Sequence, residues 1–472
     1  MALSVVIMAA GKGTRMRSAR PKVLHALGGT PLLGHVVATA ESLEPERCII
    51  VTGHGADAVE AAFAGHERVF VRQMPQLGTG HAVQQAVPAL LDDGITLVLN
   101  GDVPLIRAAT LRALVDGCAG KSLALLTVDL ANPFGYGRIV RTPEAGDADS
   151  SGPEGHADSV GAPVQAIVEE KDATPLQRQI TEVYTGILAA PTALLKGWLA
   201  RLTNQNAQGE FYLTDVVAHA VADGVEVRTA SASDESEVLG VNNPAQLADL
   251  ERRLQRRHAD VLMEAGVRLA DPARFDLRGT LVTGMDVEID VGCVFEGVVT
   301  LGEGVRVGPH CVIRDARIED GAVIHPFTHI EGAQVGAGSL IGPFARLRPG
   351  AKLGDEVHIG NFVEVKNSTL ANGAKANHLA YLGDATVGER VNYGAGAITA
   401  NYDGANKHRT TIGADVHVGS NCVLVAPLTI GDGATIGGGS TINKTVPPGS
   451  LAIGRARQVM FADWERPKKQ LK

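Results

Sequence analysis

The second half of the chain repeats an aliphatic residue at every sixth position. Two runs keep this period without an error, and their members are Val335, Ile341, Leu347, Leu353, Ile359 and Val365, and then Ile412, Val418, Leu424, Ile430, Ile436 and Ile442. A period of six fits neither an α-helix nor an alternating strand, and it is typical of a parallel β-helix with three short strands per coil. We therefore expect these side chains to stack inward. Glycines such as Gly336 directly follow many of them, and we expect these glycines to ease the corners through a positive φ or a close backbone approach.

The period breaks in one informative place, between Tyr393–Gly394 and Ile412–Gly413. The intervening segment, Ala395 to Thr411, contains polar residues such as Asn401 and Asp403, which a coil interior cannot bury without hydrogen-bond partners. Its Asn-Tyr-Asp-Gly stretch is typical of a turn. We predict that the whole segment leaves the helix as a loop, and long loops in compact domains are usually functional or disordered.

The composition restricts the classes of function. The chain has 472 residues, enough for two or three domains, and its formal net charge of −9 argues against nucleic acid as the main partner. No apolar run approaches the roughly 20 residues that span a bilayer, so we expect no membrane insertion. The five cysteines are scattered and show no metal-binding spacing. This pattern predicts reduced thiols and a cytoplasmic location.

The N-terminal half has a different pattern. An apolar strand, Ser4 to Met8, runs into the glycine-rich basic turn Gly11 to Arg15. Such a turn can hold a phosphate with its backbone N–H groups, although an ordinary tight turn is equally compatible with the spacing. A second apolar strand leads to Asp102, which could bind Mg²⁺ beside phosphates or merely cap a turn. Alternating strands and helices over about 240 residues predict a doubly wound α/β domain.

Motifs in a specific order carry a resemblance over nearly the whole chain. They are GKGTRM, PKVL, QLGTGHA, GDVPL, GYGRI, VEEKDA and GVNN, followed in the repeat region by RLRPG, NFVEVK, HLAYLGDA and ITANYDGANKH. The chain resembles the family of bacterial bifunctional N-acetylglucosamine-1-phosphate uridylyltransferases / glucosamine-1-phosphate acetyltransferases. The resemblance implies a nucleotidyltransferase domain over residues 1–243, a linker helix over 244–266 and a left-handed β-helix acetyltransferase domain over 267–472.

The resemblance implies that the first domain transfers UMP from UTP to N-acetylglucosamine-1-phosphate, with Mg²⁺ as cofactor. Arg15 and Lys22 are then catalytic and hold the triphosphate, while Asp102 and Asn242 bind the metal ion. The nucleotide- and sugar-binding residues implied in addition to these are Met8, Ala9, Ala10, Gly11, Gln73, Gly78, Thr79, Asn100, Gly101, Gly137, Glu169 and Tyr184.

Three features of the first domain depart from the family pattern. Relatives usually have Tyr-Gly-Asp where this chain has Asn100-Gly101-Asp102, and Asn where it has Tyr184. Tyr184 either replaces the sugar contact through its hydroxyl or loses it. The third departure is an insertion between Arg141 and Pro163, which is rich in Gly, Ser, Asp, Glu and Pro. We predict an exposed loop there rather than a metal site formed by its acidic residues and His156.

The resemblance implies that the β-helix assembles as a homotrimer and acetylates glucosamine-1-phosphate with acetyl-CoA between subunits. His378 is then the catalytic base, since a neutral imidazole suits proton removal near neutral pH, and Glu364 orients it. The implied glucosamine-1-phosphate ligands are Arg348, Lys366, Tyr381, Asn392, Asn401, Tyr402 and Lys407. The implied acetyl-CoA ligands are Ala395, Asn401, Tyr402, Ser420, Gly438 and Arg455. We predict that one subunit supplies His378 and Lys366 while its neighbour supplies Asn401 and Lys407.

Two other classes of function remain open at this point. One is a single-activity sugar-1-phosphate nucleotidyltransferase whose β-helix is structural or regulatory. The other is a non-catalytic nucleotide-binding scaffold that uses the helix as an interaction platform. His378 with Glu364 argues against a passive helix, and Asp102 with Asn242 argues against a passive nucleotide binder.

Overall fold

The computed structural model describes residues 1–64, 68–142, 162–232, 234–467 and 469. It divides into two compact units, Met1–Leu254 and Gln255–Lys472. Residues 143–161 of the insertion lie outside the described residues, so the prediction of an exposed loop stays a prediction. No helix in the described ranges is both long and apolar enough to cross a membrane.

The first unit is built on a mixed β-sheet and a small separate hairpin. Its strands are β1 (Leu3–Met8), β2 (Ala26–Leu27), β3 (Thr30–Pro31), β4 (Arg47–Thr52), β5 (Arg68–Arg72), β6 (Ile95–Asn100), β7 (Leu123–Asp129), β8 (Gly137–Arg141), β9 (Val164–Val168), β10 (Glu182–Pro191) and β11 (Val227–Ser231). Along the sheet the order is β11–β7–β10–β6–β1–β4–β5, with the β8–β9 hairpin attached to β10.

The centre of this sheet is a switch point in the strand order. β1 pairs in parallel with β4 on one side and with β6 on the other. The chain fills β4 and β5 first and then crosses back to β6, so a crevice opens where the two connections part. Ligands of open α/β sheets bind in this crevice, beyond the carboxyl ends of the strands.

Helices cover both faces of the sheet. They are α1 (Leu32–Glu41), α2 (Ala56–Ala62), α3 (Thr79–Ala86), α4 (Ala108–Cys118), α5 (Thr192–Ala200) and α6 (Asp215–Ala222). One core places Val36 of α1 and Leu111 of α4 against alternate residues of β1 and β6. The other core places Val83 of α3 and Leu195 of α5 against the opposite residues of the same strands. The predicted doubly wound α/β domain is therefore confirmed.

A long helix, α7 (Pro244–Glu264), covers the segment predicted to link the domains. Its Leu250 and Leu254 belong to an apolar cluster of the first unit, together with Met16 and Leu32. In the second unit, the side-chain amide of Gln255 exchanges two hydrogen bonds with the backbone of Leu277, at 2.9 and 2.7 Å. Amphipathic spacing of the leucines thus places apolar side chains on one stripe of the helix.

The second unit is a left-handed parallel β-helix of three-sided coils. Its first face is one parallel sheet, made of Arg268–Leu269, Glu288–Ile289, Arg306–Val307, Val323–Ile324, Leu340–Ile341, His358–Asn361, Lys375–His378, Asn392–Tyr393, His417–Val418, Thr435–Ile436 and Leu451–Ala452.

The second and third faces form a continuous sheet that bends at a corner. Its strands are Phe275–Thr283, Cys293–Leu301, Val312–Arg314, Arg317–Ile318, His329–Glu331, Gln334–Val335, Arg346–Leu347, Lys352–Leu353, Glu364–Lys366, Thr369–Leu370, Tyr381–Gly383, Ala385–Val387, Ile398–Ala400, Thr410–Ile412, Val423–Val425, Leu428–Ile430 and Thr441–Ile442. Each strand pairs with its counterpart one coil away, for example Glu364 with Tyr381.

The six-residue period is confirmed by burial. Every aliphatic member of the two runs is buried and belongs to one continuous core. The glycines that follow are needed mainly for close approach. A Cβ at Gly360 would lie 1.9 Å from the carbonyl oxygen of Asn377 in the next coil, whereas Gly342 has a positive φ of 98°. Stacked coils thus leave no room for a side chain at these corners.

The predicted loop starts too early in the sequence. Ile398–Ala400 is still a strand of the second face and pairs with Tyr381 and with Val423–Val425. Thr399 occupies a buried position, and its hydroxyl donates to the carbonyl oxygen of Gly383 at 3.0 Å. Only the segment from 401 to 409, which we call the coil loop, leaves the helix, because Thr410 re-enters the third face.

Candidate active sites

A cavity of about 440 Å³ opens at the carboxyl ends of β1 and β6. Its lining consists of Met8, Ala9, Ala10, Gly11, Lys12, Lys22, Val23, Gln73, Gln76, Gly78, Thr79, Ala82, Asn100, Asp102 and Glu210. The structure therefore brings together most of the residues that the sequence assigned to the nucleotide. They come from the turn after β1, the segment before α3 and the end of β6, all on one edge of the sheet.

Lys22 and Asp102 line this cavity, and the side chains of Asn242 and Arg15 join them from distant parts of the first unit. The ammonium group of Lys22 contacts the carboxylate of Asp102, and it lies 3.3 Å from Oδ1 of Asn242. Arg15 donates a hydrogen bond from Nη2 to the same Asn242 oxygen at 2.8 Å. The predicted catalytic pair and the predicted metal ligands thus form one cluster.

Two glutamines shape the end of the cavity nearest α3. Gln73 is buried, and its Nε2 donates to the carbonyl oxygen of Gly78 at 2.9 Å. Gln76 donates from Nε2 to the carbonyl oxygen of Ala10 at 2.8 Å, which ties the turn after β1 to the turn before α3. Gln73 was predicted, whereas Gln76 was quoted only as part of a motif and was not assigned a role.

A half-buried acidic group, Glu169, marks the predicted sugar end. Thr214 donates its hydroxyl hydrogen to Oε1 of Glu169 at 3.0 Å, and Gly137 leaves space beside the same carboxylate. Burial raises the pKa of Glu169, and the neighbouring carboxylates of Asp215 and Asp172 add to the effect. Thr214 was missed from the sequence because an isolated threonine gives no spacing signal.

The two unusual residues of the first domain take defined positions. Tyr184 is only 6% exposed, and its hydroxyl has no hydrogen-bond partner among the described residues. Burial raises the pKa of this phenol, with Glu169 as a second cause. Asn100 lies at the cavity and donates from Nδ2 to the carbonyl oxygen of Thr185 at 3.2 Å. Gly186 makes room for it, since a Cβ there would lie 2.2 Å from Nδ2 of Asn100.

On the β-helix, one cationic group gathers at the corner between the second and third faces. Lys366 lies 4.0 Å from the carboxylate of Asp384, and Lys407 of the coil loop interacts with both residues. The side-chain amide of Asn401 donates to the same carboxylate. Lys366, Asn401 and Lys407 therefore meet around Asp384 within one chain, whereas the prediction assigns Lys366 to one subunit and the other two to its neighbour.

The second face extends this group with further predicted ligands. Arg348 donates from Nη1 to Oε1 of Glu364 at 2.8 Å. Tyr381 pairs with Glu364 across neighbouring strands, and its hydroxyl lies over Gly383, where a Cβ would approach it to 2.3 Å. The tyrosine hydroxyl thus points along the face toward the strand position that Lys366 occupies.

A second group follows the corner between the first and second faces. Backbone hydrogen bonds connect successive coils at this corner. Gly396 N–H donates to His378 O at 3.2 Å, Asn421 N–H donates to Ala395 O at 2.8 Å, and Gly439 N–H donates to Ser420 O at 2.8 Å. Arg455 donates from Nη1 to the carbonyl oxygen of Gly438 at 2.6 Å. We call His378, Ala395, Ser420, Gly438 and Arg455 the base column. The predicted base and four of the six predicted acetyl-CoA ligands therefore share one line, whereas Asn401 and Tyr402 lie elsewhere.

The orienting partner of His378 differs from the prediction. Nδ1 of His378 lies 3.1 Å from Oδ1 of Asn361, whereas Glu364 is paired with Arg348 and, at 3.8 Å, with Arg346. Since an amide oxygen can only accept, this contact favours a proton on Nδ1 and leaves Nε2 as the base. Asn361 was missed, although it pairs in register with His378 on the neighbouring coil of the first face, 17 residues away.

The remaining predicted acetyl-site residues lie apart from these contacts. Asn392 is on the first face, with Nδ2 at 3.2 Å from Nδ1 of His417. Tyr402 is exposed in the coil loop and donates its hydroxyl hydrogen to the carbonyl oxygen of Gly404 at 2.6 Å. Neither side chain is brought to His378 or Lys366 within the described chain.

Comparisons with known proteins match both halves. Family models match residues 5–145 as a MobA-like NTP transferase domain, 277–371 as a GMPPB C-terminal domain and 409–444 as a bacterial transferase hexapeptide of six repeats. A nucleotidyl transferase structure from Methanothermobacter thermautotroptrophicus is 22% identical, with a TM-score of 0.36, and covers 54% of this chain and 99% of that one.

Full-length relatives decide the family. The "Bifunctional protein GlmU" of Methylibium petroleiphilum is 71% identical over 99% of this chain and 100% of its own. The chain belongs to the bifunctional GlmU family. The GlmU protein of Bordetella parapertussis is 56% identical and also matches 99% of this chain and 100% of its own. This membership confirms the family resemblance that the motifs carry.

Proposed function

We propose that each unit houses one of two consecutive transfers, at the residues that the structure brings together there. As a GlmU-family enzyme, the chain acetylates glucosamine-1-phosphate with acetyl-CoA and then transfers UMP from UTP to N-acetylglucosamine-1-phosphate, which forms UDP-N-acetylglucosamine. The observation that carries the proposal is the cluster of Lys22, Asp102, Asn242 and Arg15, of which Lys22 and Asp102 line the cavity at the switch point.

The uridylyl transfer needs positioning more than proton transfer. The sugar phosphate is already a nucleophile, so it can attack the α-phosphorus of UTP in line and expel pyrophosphate without a general base. We assign Lys22 and Arg15 to the phosphates, where their fixed charges stabilise the negative charge that develops. Gln73 and the turn at Gly78–Thr79 hold the base, and Glu169 with Gly137 holds the sugar.

The oxygen ligands at Asp102 and Asn242 fit a magnesium ion. Both point at the same space, which the ammonium group of Lys22 reaches, and Mg²⁺ typically uses one or two protein oxygens together with substrate phosphates and water. Among the described residues no cluster of three or more His, Cys, Asp or Glu offers an alternative site. When bound, the ion would neutralise the phosphates of UTP.

In the second unit, we assign His378 as the base that removes a proton from the attacking amine of glucosamine-1-phosphate. Asn361 fixes the ring, so that Nε2 faces the acceptor. The other residues of the base column line the path for acetyl-CoA, and Lys366, Lys407 and Arg348 bind the sugar phosphate. The thiol of CoA leaves as the amide bond forms.

An exposed aromatic column supports assembly as a homotrimer. His310, Phe327, Phe344 and Phe362 stack along the corner between the first and second faces, with ring centroids 5.0 to 5.4 Å apart. The three phenylalanines are between 47 and 57% exposed, and such a strip of apolar surface favours a protein partner. The column continues directly into Leu379 beside His378. We therefore propose that a second copy covers it and that the acetyl-transfer site lies at this contact.

Subunit mixing tests this arrangement. We expect His378 of one subunit to act with the Lys366–Lys407 group of its neighbour. His378→Ala and Lys407→Ala, denatured and refolded together, should then recover about one quarter of wild-type acetyl transfer, because random mixing completes that fraction of the interfaces in a cyclic trimer. The control mixture, Lys366→Ala with Lys407→Ala, should recover none. Recovery to about one quarter in the control, or none in the first mixture despite confirmed exchange, would refute the shared site.

The competing function is a single-activity nucleotidyltransferase with a structural β-helix. The base column and the Asn361–His378 contact favour a catalytic helix. Two assays on the purified protein decide the matter: release of CoA thiol with glucosamine-1-phosphate, and release of pyrophosphate from UTP with N-acetylglucosamine-1-phosphate. Pyrophosphate release without thiol release would establish the competing function. We place the enzyme in the cytoplasm, where its five buried free cysteines stay reduced.

A further inference from the structure

Asp384 is a buried carboxylate that no step described above uses. It lies at the corner between the second and third faces, with 7% of its surface exposed. Asn367 donates a hydrogen bond from Nδ2 to its Oδ1 at 2.5 Å, and the side-chain amide of Asn401 donates to its Oδ2. Two amides from different coils thus fix the orientation of this carboxylate.

The charged groups around Asp384 are mostly cations. Lys366 lies 4.0 Å away on the second face, Lys407 reaches over from the coil loop, and the phenol of Tyr381 faces the same space. Burial alone would raise the pKa of Asp384, but the two amide donors and the two ammonium groups outweigh it and hold the pKa below its usual range. The neighbouring charge of Lys366 lowers the pKa of Lys407, and Asp384 opposes that effect.

We propose that Asp384 is a positioning residue for the phosphate group of the acetyl acceptor, because it keeps Lys366 and Lys407 side by side as two charged ammonium groups. Two neighbouring like charges repel each other, so without a counter-ion the ammonium group of Lys407 would hold its proton less tightly or move away from Lys366. A phosphate monoester dianion carries two negative charges, which two ammonium groups would balance. Asp384 also ties the start of the coil loop to the coil through Asn401. The identity of the phosphate ligand rests on the proposed acetyl transfer, whereas the effect of Asp384 on the two lysines does not.

Lysine reactivity tests the effect of Asp384 on Lys366 and Lys407 without any activity assay. The full-length protein is labelled with trace acetic anhydride between pH 7 and 10, and mass spectrometry compares Lys407 with the distant exposed Lys444. In Asp384→Asn, we expect the reactivity of Lys407 at pH 8 to rise at least about threefold, since a pKa one unit lower means about ten times more free amine. The control is Asp315→Asn, whose carboxylate accepts from Val298 N–H at another left-handed corner, and it should change nothing. An unchanged ratio for Lys407 in Asp384→Asn would overturn the proposal.

A second variant keeps the test decisive if Asp384→Asn does not fold. Lys366→Met removes the repulsion while Asp384 stays in place, so Lys407 should become less reactive, again by about threefold or more. No change in Lys407 would overturn the proposal equally.

Kinetics then test the role in substrate binding. In Asp384→Asn, the KM for glucosamine-1-phosphate should rise more steeply than in wild type between pH 7 and 9, with a smaller change in kcat. A fall in kcat at every pH without a change in the pH profile of KM would indicate a merely structural residue and overturn the positioning role. If the wild-type protein does not acetylate glucosamine-1-phosphate at all, the proposed function fails, and the labelling result still decides whether Asp384 holds the two charges.

Discussion

The substitution Asp102→Asn should remove uridylyl transfer and leave acetyl transfer intact. Asparagine keeps the size of the side chain and an oxygen for Lys22, but it removes the negative charge from the proposed metal site. Loss of one preorganised electrostatic group typically lowers kcat by about 10²–10³, which corresponds to about 2.7–4 kcal/mol. We expect a loss of that size in pyrophosphate release and less than a twofold change in thiol release.

The effect on stability should be much smaller than the effect on rate. The side chains of Lys22 and Asp102 remain 14% and 21% exposed, and the amide still accepts a hydrogen bond, so the charge contributes about 1 kcal/mol at most after screening. For a unit of this size, that corresponds to a melting-temperature decrease of about 2–4 °C. Thermal unfolding of the variant therefore separates misfolding from lost chemistry.

Asp129→Asn is the matched control, because Asp129 ends β7, which β10 separates from β6 in the sheet, and is exposed, with one hydrogen bond from the hydroxyl of Thr181 at 3.3 Å. It should retain both activities. The reasoning fails if Asp102→Asn lowers pyrophosphate release by less than about threefold. It also fails if thiol release falls in parallel while the protein stays folded.

Three further predictions concern the first unit. Glu169→Gln should be more stable than wild type at pH 7. The folded state raises the pKa of the Glu169 carboxyl, so the wild-type protein loses folding free energy as the pH rises and this carboxyl ionises. Urea unfolding should show the difference vanish as the pH falls toward 4.5. Tyr184→Phe should unfold at an equal or higher temperature, since it removes an unpaired buried hydroxyl, while a several-fold higher KM for N-acetylglucosamine-1-phosphate would show that the hydroxyl meets the sugar. Cutting residues 144–161 to a short turn should leave both activities and the melting temperature nearly unchanged, because Thr142 N–H already donates to Pro163 O at 2.9 Å and closes the hairpin. A large rise in the KM for N-acetylglucosamine-1-phosphate would instead indicate that the insertion is a lid.

Much of the fold follows from periodicity alone. The six-residue phase predicts which side chains are buried, because a coil of fixed length leaves one inward position at each such step. The start of the coil loop could not be predicted in this way. Thr399 looks like a loop residue, yet it is buried because its hydroxyl bonds to the backbone of Gly383 in the preceding coil. Sequence does not show that partner.

The sites were predictable where a motif lies on one strand end, and less so where side chains meet across coils. Asp102 closely follows β6 at the ligand-binding edge of the sheet, whereas Lys22 and Asn242 lie outside the strands and were assigned to the same site through the family motifs. The partner of Glu364 was not predictable, because Arg348 and His378 are both near in sequence and only the corner geometry decides between them. Asp384 escaped prediction for the same reason.

The most direct test of two separate transfer sites is complementation between purified variants. Asp102→Asn and His378→Ala are purified separately, and each is supplied with glucosamine-1-phosphate, acetyl-CoA, UTP and Mg²⁺. We predict that neither variant alone makes UDP-N-acetylglucosamine at an appreciable rate, and that the mixture does, because N-acetylglucosamine-1-phosphate made by the first diffuses to the second. A mixture that stays inactive, although each variant keeps its expected half-reaction, would contradict the account, as would full synthesis by either variant alone.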